Sequence, residues 1–169
     1  MASGRNTALE LLKGAIAGAV SVWAMDRVTW YMYRNEDRKA FAQEKQAQVH
    51  GHYVSQVSVD KATSAMGVEL SDEQYFYAYK GVHYFLGIAP AMLYSVLRHK
   101  VDWLSAGKGS LFGVGLFVLQ DETLAPLTGL ASPPTAYPWQ AHARGLAGHL
   151  AVGLVTDATL NLLDKVLPE

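Results

Sequence analysis

The amino-acid sequence predicts an all-helical protein: a four-helix transmembrane bundle with a polar, partly helical insertion between its first two helices. Three observations favour this fold class. Half of the 169 residues are hydrophobic and only 17% are charged, whereas a typical soluble domain has about a quarter charged residues. The hydrophobic residues gather in four segments. Aromatic residues crowd the ends of these segments, as they do at the headgroup level of a bilayer.

The composition narrows the classes of function. The chain has no cysteine, which excludes disulfides, thiol catalysis and zinc–thiolate sites. Its net charge is −1 and its basic residues are dispersed, so nothing supports nucleic-acid binding, which needs a basic face. The length suits one domain, and we predict a single membrane domain over residues 1–169.

The four predicted spans comprise residues 7–33, 75–97, 107–127 and 141–163. About 20 residues cross the apolar core of a bilayer at about 1.5 Å per residue, and the third span reaches this length only if it begins near Gly107. Ser71 and Gln74 predict a capping box before the second span. Pro90 lies inside that span and is expected to free a backbone carbonyl.

Residues 34–70 form the polar insertion. Residues 34–48 are rich in strong helix formers and predict a solvent-exposed helical extension. The stretch 49–59 mixes His50 and His52 with β-branched residues and is predicted to be irregular, with a short helix over 60–66. The connection from Thr128 to Trp139 is rich in proline and cannot be helical throughout.

A soluble four-helix bundle with a polar core is the alternative fold. It is suggested by the ionisable residues in every segment and by a mean hydropathy of only +0.07. Three features argue against it, and the aromatic residues at the segment ends are the first. Glycine is frequent inside the apolar segments, which suits close helix packing in lipid. The segments also lack the continuous charged face of a soluble bundle helix.

Four spans place both termini on one side of the membrane. Basic residues in the short loops favour a cytoplasmic location for that side, although the long insertion is also basic. We therefore expect cytoplasmic termini.

Antiparallel spans bring eight ionisable residues into the half of the bundle beside the insertion. Burying charge in a membrane is costly, so such residues mark a candidate site. The predicted members are Asp26, Arg27, His83, Asp121, Glu122, His142, Arg144 and His149.

Three roles remain open for this group. A structural network would pair Arg27 and Arg144 with carboxylates among Asp26, Asp121 and Glu122. A divalent-metal site would use the histidines and carboxylates, although their spacing is not diagnostic. A proton pathway would use histidine beside carboxylate, but the other half of the bundle offers only Asp157 and Lys13 to continue it. No nucleophile motif or phosphate-binding loop occurs.

Small residues recur at helical spacing and predict close helix contacts. Gly14 and Gly18 form a GxxxG pair in the first span. The other predicted packing positions are Gly113, Gly145 and Gly153.

Several short runs resemble the YagU-like family of bacterial inner-membrane proteins. They are Gly14-Ala-Ile-Ala-Gly-Ala-Val-Ser21, Leu127-Thr-Gly-Leu-Ala-Ser-Pro-Pro134, Tyr137-Pro-Trp139 and Gly148-His-Leu150. The runs occur in the family's order and cover the first span and the C-terminal 60 or so residues, while the insertion has no counterpart that we can place. The resemblance implies a multi-span protein of the bacterial inner membrane. It suggests an association with acid tolerance and implies no enzyme activity.

We therefore expect a non-enzymatic accessory or stress-related membrane protein. Its partners would be the lipid bilayer and either further copies of itself or a larger membrane complex. The sequence requires no cofactor. The alternative is a metal-binding or proton-linked membrane protein that uses the His/Asp/Glu group.

Overall fold

The computed structural model describes residues 6–167, and every regular element within that range is helical, which confirms the all-helical prediction. Helix α5 is composite: Ser110–Leu116 is α-helical, Phe117–Leu124 is π-helical and Ala125–Leu127 is α-helical again. The other helices are α1 Thr7–Arg34, α2 Arg38–Ala47, α3 Val54–Met66, α4 Asp72–Leu97 and α6 Trp139–Val166. Short 3₁₀ turns occupy Val49–Gly51, Asp102–Ser105 and Pro134–Ala136.

Helices α1, α4, α5 and α6 form a bundle. Helix α1 packs along α4 on one side and along α6 on the other, and α5 packs against α6. Side chains join α4 to α5, because the ring of Tyr94 stacks on that of Phe112 with 4.4 Å between centroids. Helices α2 and α3 lie outside the bundle, with α3 against α4 and α2 against the start of α6.

Two of the described helices, α1 and α6, are long and apolar enough to cross a membrane by length and composition. By length and composition, the described helices therefore support two membrane spans, whereas the sequence predicted four. Helix α4 begins with Asp72 and Glu73 and carries Lys80, and α5 carries adjacent carboxylates at Asp121 and Glu122. These charges lower the apolar character of the second and third predicted spans.

The interior of the bundle combines apolar residues such as Ala17 and Leu160 with buried charged residues. Lys13 and Glu10 are only 1% and 2% exposed and are among the largest fully buried side chains. Large apolar side chains face outwards from all four bundle helices, among them Ile16, Phe85, Leu93, Val118, Leu119, Leu127 and Leu154. Exposed apolar faces of this kind mark surfaces that contact lipid or another protein.

Two local predictions on α4 are confirmed. The Gln74 backbone N–H donates to Ser71 Oγ at 3.3 Å and the Ser71 N–H donates to Gln74 Oε1 at 2.9 Å, which forms the capping box. Pro90 lacks an N–H, so the carbonyl of Leu86 four residues earlier loses its helical donor. Gln120 Nε2 of α5 donates to that carbonyl at 3.0 Å.

The insertion is more ordered and less exposed than the sequence predicted. Helix α3 begins at Val54 instead of residue 60, because Gln56 Oε1 accepts the Tyr53 backbone N–H at 3.0 Å and caps the first turn. The insertion also binds the proline-rich connection: Gln43 Nε2 donates to the Ala136 carbonyl at 3.2 Å, and Lys61 Nζ donates to the Thr128 carbonyl at 2.8 Å.

Candidate functional site

The bundle has two polar ends. The insertion end is the half next to α2, α3 and the proline-rich connection, and it contains the eight predicted site residues. The terminal end is the opposite half, where α1 and α5 begin and α4 and α6 end. The structure arranges the charges differently at these two ends.

One pair at the insertion end joins α4 to α1. His83 Nε2 lies 2.8 Å from Asp26 Oδ1, and both side chains are partly exposed. Arg27, the residue after Asp26, places its guanidinium 5.3 Å from the centre of the Trp23 ring. The predicted pairing of Arg27 with a carboxylate is therefore replaced by a cation–π contact, which is common at exposed sites.

Two further pairs join α5 to α6. His149 Nδ1 lies 3.5 Å from Asp121 Oδ2 and donates to the Gly145 carbonyl at 3.0 Å. His142 Nδ1 lies 2.6 Å from Glu122 Oε1. The π-helical turns of α5 direct the adjacent Asp121 and Glu122 to histidines seven residues apart on α6, and such turns often occur at functional sites.

His142 has an acceptor at each ring nitrogen. Its Nε2 lies 3.0 Å from the Pro134 carbonyl, while Nδ1 faces the Glu122 carboxyl group. A neutral imidazole has only one N–H. Both contacts become hydrogen bonds only when His142 and Glu122 together hold one more proton than a neutral histidine and an ionised glutamate do.

Arg144 binds the insertion instead of the carboxylates of the bundle. Its guanidinium contacts Glu36 and lies 2.5 Å from Glu44 Oε2, with the Tyr33 ring centre 5.1 Å away. The predicted pairing with Asp26, Asp121 or Glu122 was therefore wrong. Burial raises the pKa of Glu36, and the adjacent Arg144 charge opposes that shift only in part.

The five predicted packing glycines all lie at close helix contacts. A Cβ atom on Gly14 would lie 2.6 Å from Met92 Cα, and one on Gly18 would lie 2.7 Å from Ile88 Cα. Gly113, Gly145 and Gly153 lie between α5 and α6. At Gly113 and Gly153 the nearest atoms are backbone atoms, at 2.3 and 2.2 Å, so these positions have no room for a larger residue.

The candidate metal ligands are arranged in pairs. Within residues 6–167 there is no group of three or more His, Asp or Glu side chains that could hold a metal ion. His83 lies at the contact between α4 and α1, whereas His142 and His149 lie seven residues apart on α6, each beside a different carboxylate of α5. The geometry of these residues therefore does not support a shared divalent-metal site.

A larger charged cluster at the terminal end was missed by sequence reasoning. Lys13 Nζ lies 3.1 Å from Glu10 Oε1 and 2.9 Å from Asp164 Oδ1. Arg98 also contacts Asp164, and its guanidinium is 3.6 Å from Asp157 Oδ1. All of these side chains except that of Asp164 are nearly fully buried.

Neutral polar groups complete this terminal cluster. Tyr94 O–H donates to Asp157 Oδ1 at 2.7 Å. Asn161 donates to Asp157 Oδ2 at 2.9 Å and accepts from Arg98 Nη1 at 2.8 Å. The sequence held one signal for the cluster: Asp157, Asn161 and Asp164 recur at four- and three-residue spacing on one face of α6. Arg98 looked like an ordinary basic residue in a loop.

Five of the six histidines lie within 4 Å of a carboxylate oxygen. Beside the three pairs above, His99 Nε2 lies 3.5 Å from Glu10 Oε2 at the terminal end. His52 Nδ1 lies 2.7 Å from Asp60 Oδ2 in the insertion, where Tyr75 O–H also donates to Asp60. Three of the five pairs join different helices.

Comparison with known proteins identifies a family without assigning an activity. No curated protein and no solved structure matches the chain. The model of a family described as "Protein of unknown function (DUF1440)" matches residues 37–158, which includes the whole of α2 to α5 and most of α6. The insertion, for which sequence reasoning found no counterpart, thus lies largely inside the matched region. This match covers more than two thirds of the sequence, and the chain belongs to this family of unknown function.

Proposed function

We propose that this protein is a non-enzymatic accessory protein of the bacterial inner membrane whose helix packing tightens in acid. The observation that carries the proposal is the geometry of His142, whose two ring nitrogens both face acceptors. An added proton turns the contact between α5 and α6 into an ion pair and completes the hydrogen bond to the proline-rich connection. An added proton likewise gives His83 and His149 a positive charge opposite the carboxylates of Asp26 and Asp121.

The charges of the three pairs support this response. Asp26, Glu122 and Asp121 each face a histidine of a neighbouring helix. One additional proton on each pair supplies a positive charge opposite its carboxylate. Histidine is the side chain that changes charge between about pH 5 and 8. The acid-tolerance association implied by the YagU-like resemblance agrees with this direction.

The membrane assignment is supported by the outward apolar faces of all four bundle helices and by the charged interior. We propose four spans, with α4 and α5 crossing beside α1 and α6, and with the termini in the cytoplasm. The insertion end then faces the periplasm, where external acid arrives first.

The absence of cysteine allows a direct test of this topology by single-cysteine labelling. Glu69→Cys should react with an impermeant reagent added to intact cells, and Lys100→Cys should react only after lysis. The reverse pattern would contradict this orientation, and labelling of both from outside would contradict four spans.

The acid response is tested by amide hydrogen exchange on the purified protein in mild detergent, at about pH 7.5 and about pH 5.5, on either side of the histidine range. Rates are corrected for the intrinsic effect of pH. We expect stronger protection of α5 and the start of α6 in acid, and loss of this difference in His142→Gln. His50→Gln is the matched control, because no carboxylate oxygen lies within 4 Å of His50 in the described part of the chain. Equal protection at both pH values in the unaltered protein would contradict the proposal.

A further inference from the structure

The terminal cluster carries an excess of negative charge. Its carboxylates are Glu10 on α1 and Asp157 and Asp164 on α6, and its permanent cations are Lys13 on α1 and Arg98 at the end of α4. Among the described groups, three negative charges therefore face two positive ones. The Tyr94 hydroxyl and the Asn161 amide contribute hydrogen bonds without charge. Lys108 is exposed to solvent, where its charge is screened.

One oxygen of this cluster is left without a hydrogen bond. Glu10 Oε1 is bound to Lys13, but Glu10 Oε2 is buried and has no hydrogen-bond partner within residues 6–167. A buried polar atom without a partner costs about 1–3 kcal/mol, and more when it is charged. The Nε2 atom of His99 lies 3.5 Å from this oxygen. The Glu10 side chain is 2% exposed and that of His99 is 22% exposed.

A polar cleft gives water access to His99. It has a volume of about 270 Å³ and is lined by Arg98, His99, Ser105, Lys108, Asp157 and Asn161. A water molecule in the liquid takes up about 30 Å³, so the cleft has room for several. His99 thus lies between solvent in the cleft and the buried carboxyl group of Glu10.

We propose that Glu10 and His99 form a proton-binding site at the terminal end. A proton from water in the cleft binds the imidazole of His99 and then moves from Nε2 to Glu10 Oε2. The transfer leaves a neutral imidazole and a neutral carboxylic acid. The added proton removes the excess negative charge of the cluster and supplies the missing hydrogen on Oε2. This inference extends the proposed acid response to the opposite end of the bundle.

The test uses the full-length protein in mild detergent and follows the infrared carbonyl band of protonated carboxylic acids after a drop in pH. We expect acidification to produce a band that shifts in D₂O, that is absent in Glu10→Gln and that remains in Glu73→Gln, a matched change at an exposed glutamate at the start of α4. His99→Gln should keep the band but slow its rise about 100-fold, the lower end of what a positioned proton donor contributes.

The outcomes separate this proposal from the proposed function. The site would be overturned if the band survives in a folded Glu10→Gln protein. It would also be overturned if the unaltered protein shows no such band, and this second result does not depend on whether the variant folds. The Glu10 band should persist in His142→Gln. If the band depends on Glu10 but acid does not change the exchange protection of α5, the proton site stands and the proposed function fails.

Discussion

The two ends of the bundle use charge in different ways. At the insertion end, each histidine–carboxylate contact is a separate pair between two helices, and the pairs at Asp26–His83 and Glu122–His142 are partly exposed. At the terminal end, Lys13 and Arg98 share Asp164, and Arg98 also reaches Asp157, so the charges form one connected and mostly buried cluster. The first arrangement depends on histidine, whose charge varies with pH. The second depends on lysine and arginine, which stay charged.

This difference indicates a division of roles. At the terminal end, Lys13 and Arg98 stay charged and join α1, α4 and α6 through shared carboxylates, while Glu10 is the group whose protonation is proposed to vary. Separate histidine pairs adjust one helix contact at a time.

Replacing Arg98 with methionine should have the largest effect. The change leaves Asp157 and Asp164 with fewer positive partners in a buried site, and breaking a buried ion pair from one side costs about 3–5 kcal/mol. Unfolding of the detergent-solubilised protein should show this loss, whereas the exposed Lys100→Met should change stability by less than about 0.5 kcal/mol. If Arg98→Met unfolds like the control, the terminal cluster contributes little to stability.

A smaller loss is expected from Gly113→Ala, which tests the α5–α6 contact that connects the two ends. The added Cβ would lie 2.3 Å from the His149 carbonyl oxygen, so the helices must separate. Overpacking of this kind costs about 1–3 kcal/mol. Gly115→Ala on the same helix has open space around the new atom and serves as the matched control. Equal stability of the two variants would contradict the close contact.

Double-mutant cycles should distinguish the two ends directly. Lys13→Met and Arg98→Met remove cations that share Asp164, and we expect a coupling free energy of about 0.5–3 kcal/mol. His83→Gln and His142→Gln belong to separate pairs on different helices and should add to within about 0.5 kcal/mol. Unfolding free energies of the single and double variants give both values. Additivity at the terminal end, or strong coupling at the insertion end, would reverse the comparison.

Local features of the chain were predictable because their causes lie close together in sequence. The Ser71–Gln74 capping box needs only residues three apart, and the carbonyl freed by Pro90 follows from the missing N–H. The start of α3 was missed because β-branched residues around Val54 favour extended structure in isolation. Packing against α4 overrides that preference.

The partners of the charged residues could not be predicted in the same way. Helical spacing indicated which half of the bundle would hold Arg144, but Glu36 and Glu44 lie about 100 residues earlier in the chain and reach it only because α2 folds back against α6. The terminal cluster is similar, since Glu10, Arg98 and Asp164 come from three distant segments.

The helical class and the approximate ends of the four bundle helices could be predicted from the residues alone, as could the capping of α4 and the small residues that permit close packing. These properties follow from neighbouring residues and from helical periodicity. Which charges meet depends on how the helices pack. The packing places Arg144 against the insertion, keeps the candidate metal ligands in pairs and forms a second charged cluster at the terminal end. Electrostatic pairing depends on distances of a few ångströms between side chains from different helices, and those distances are set by how the helices pack.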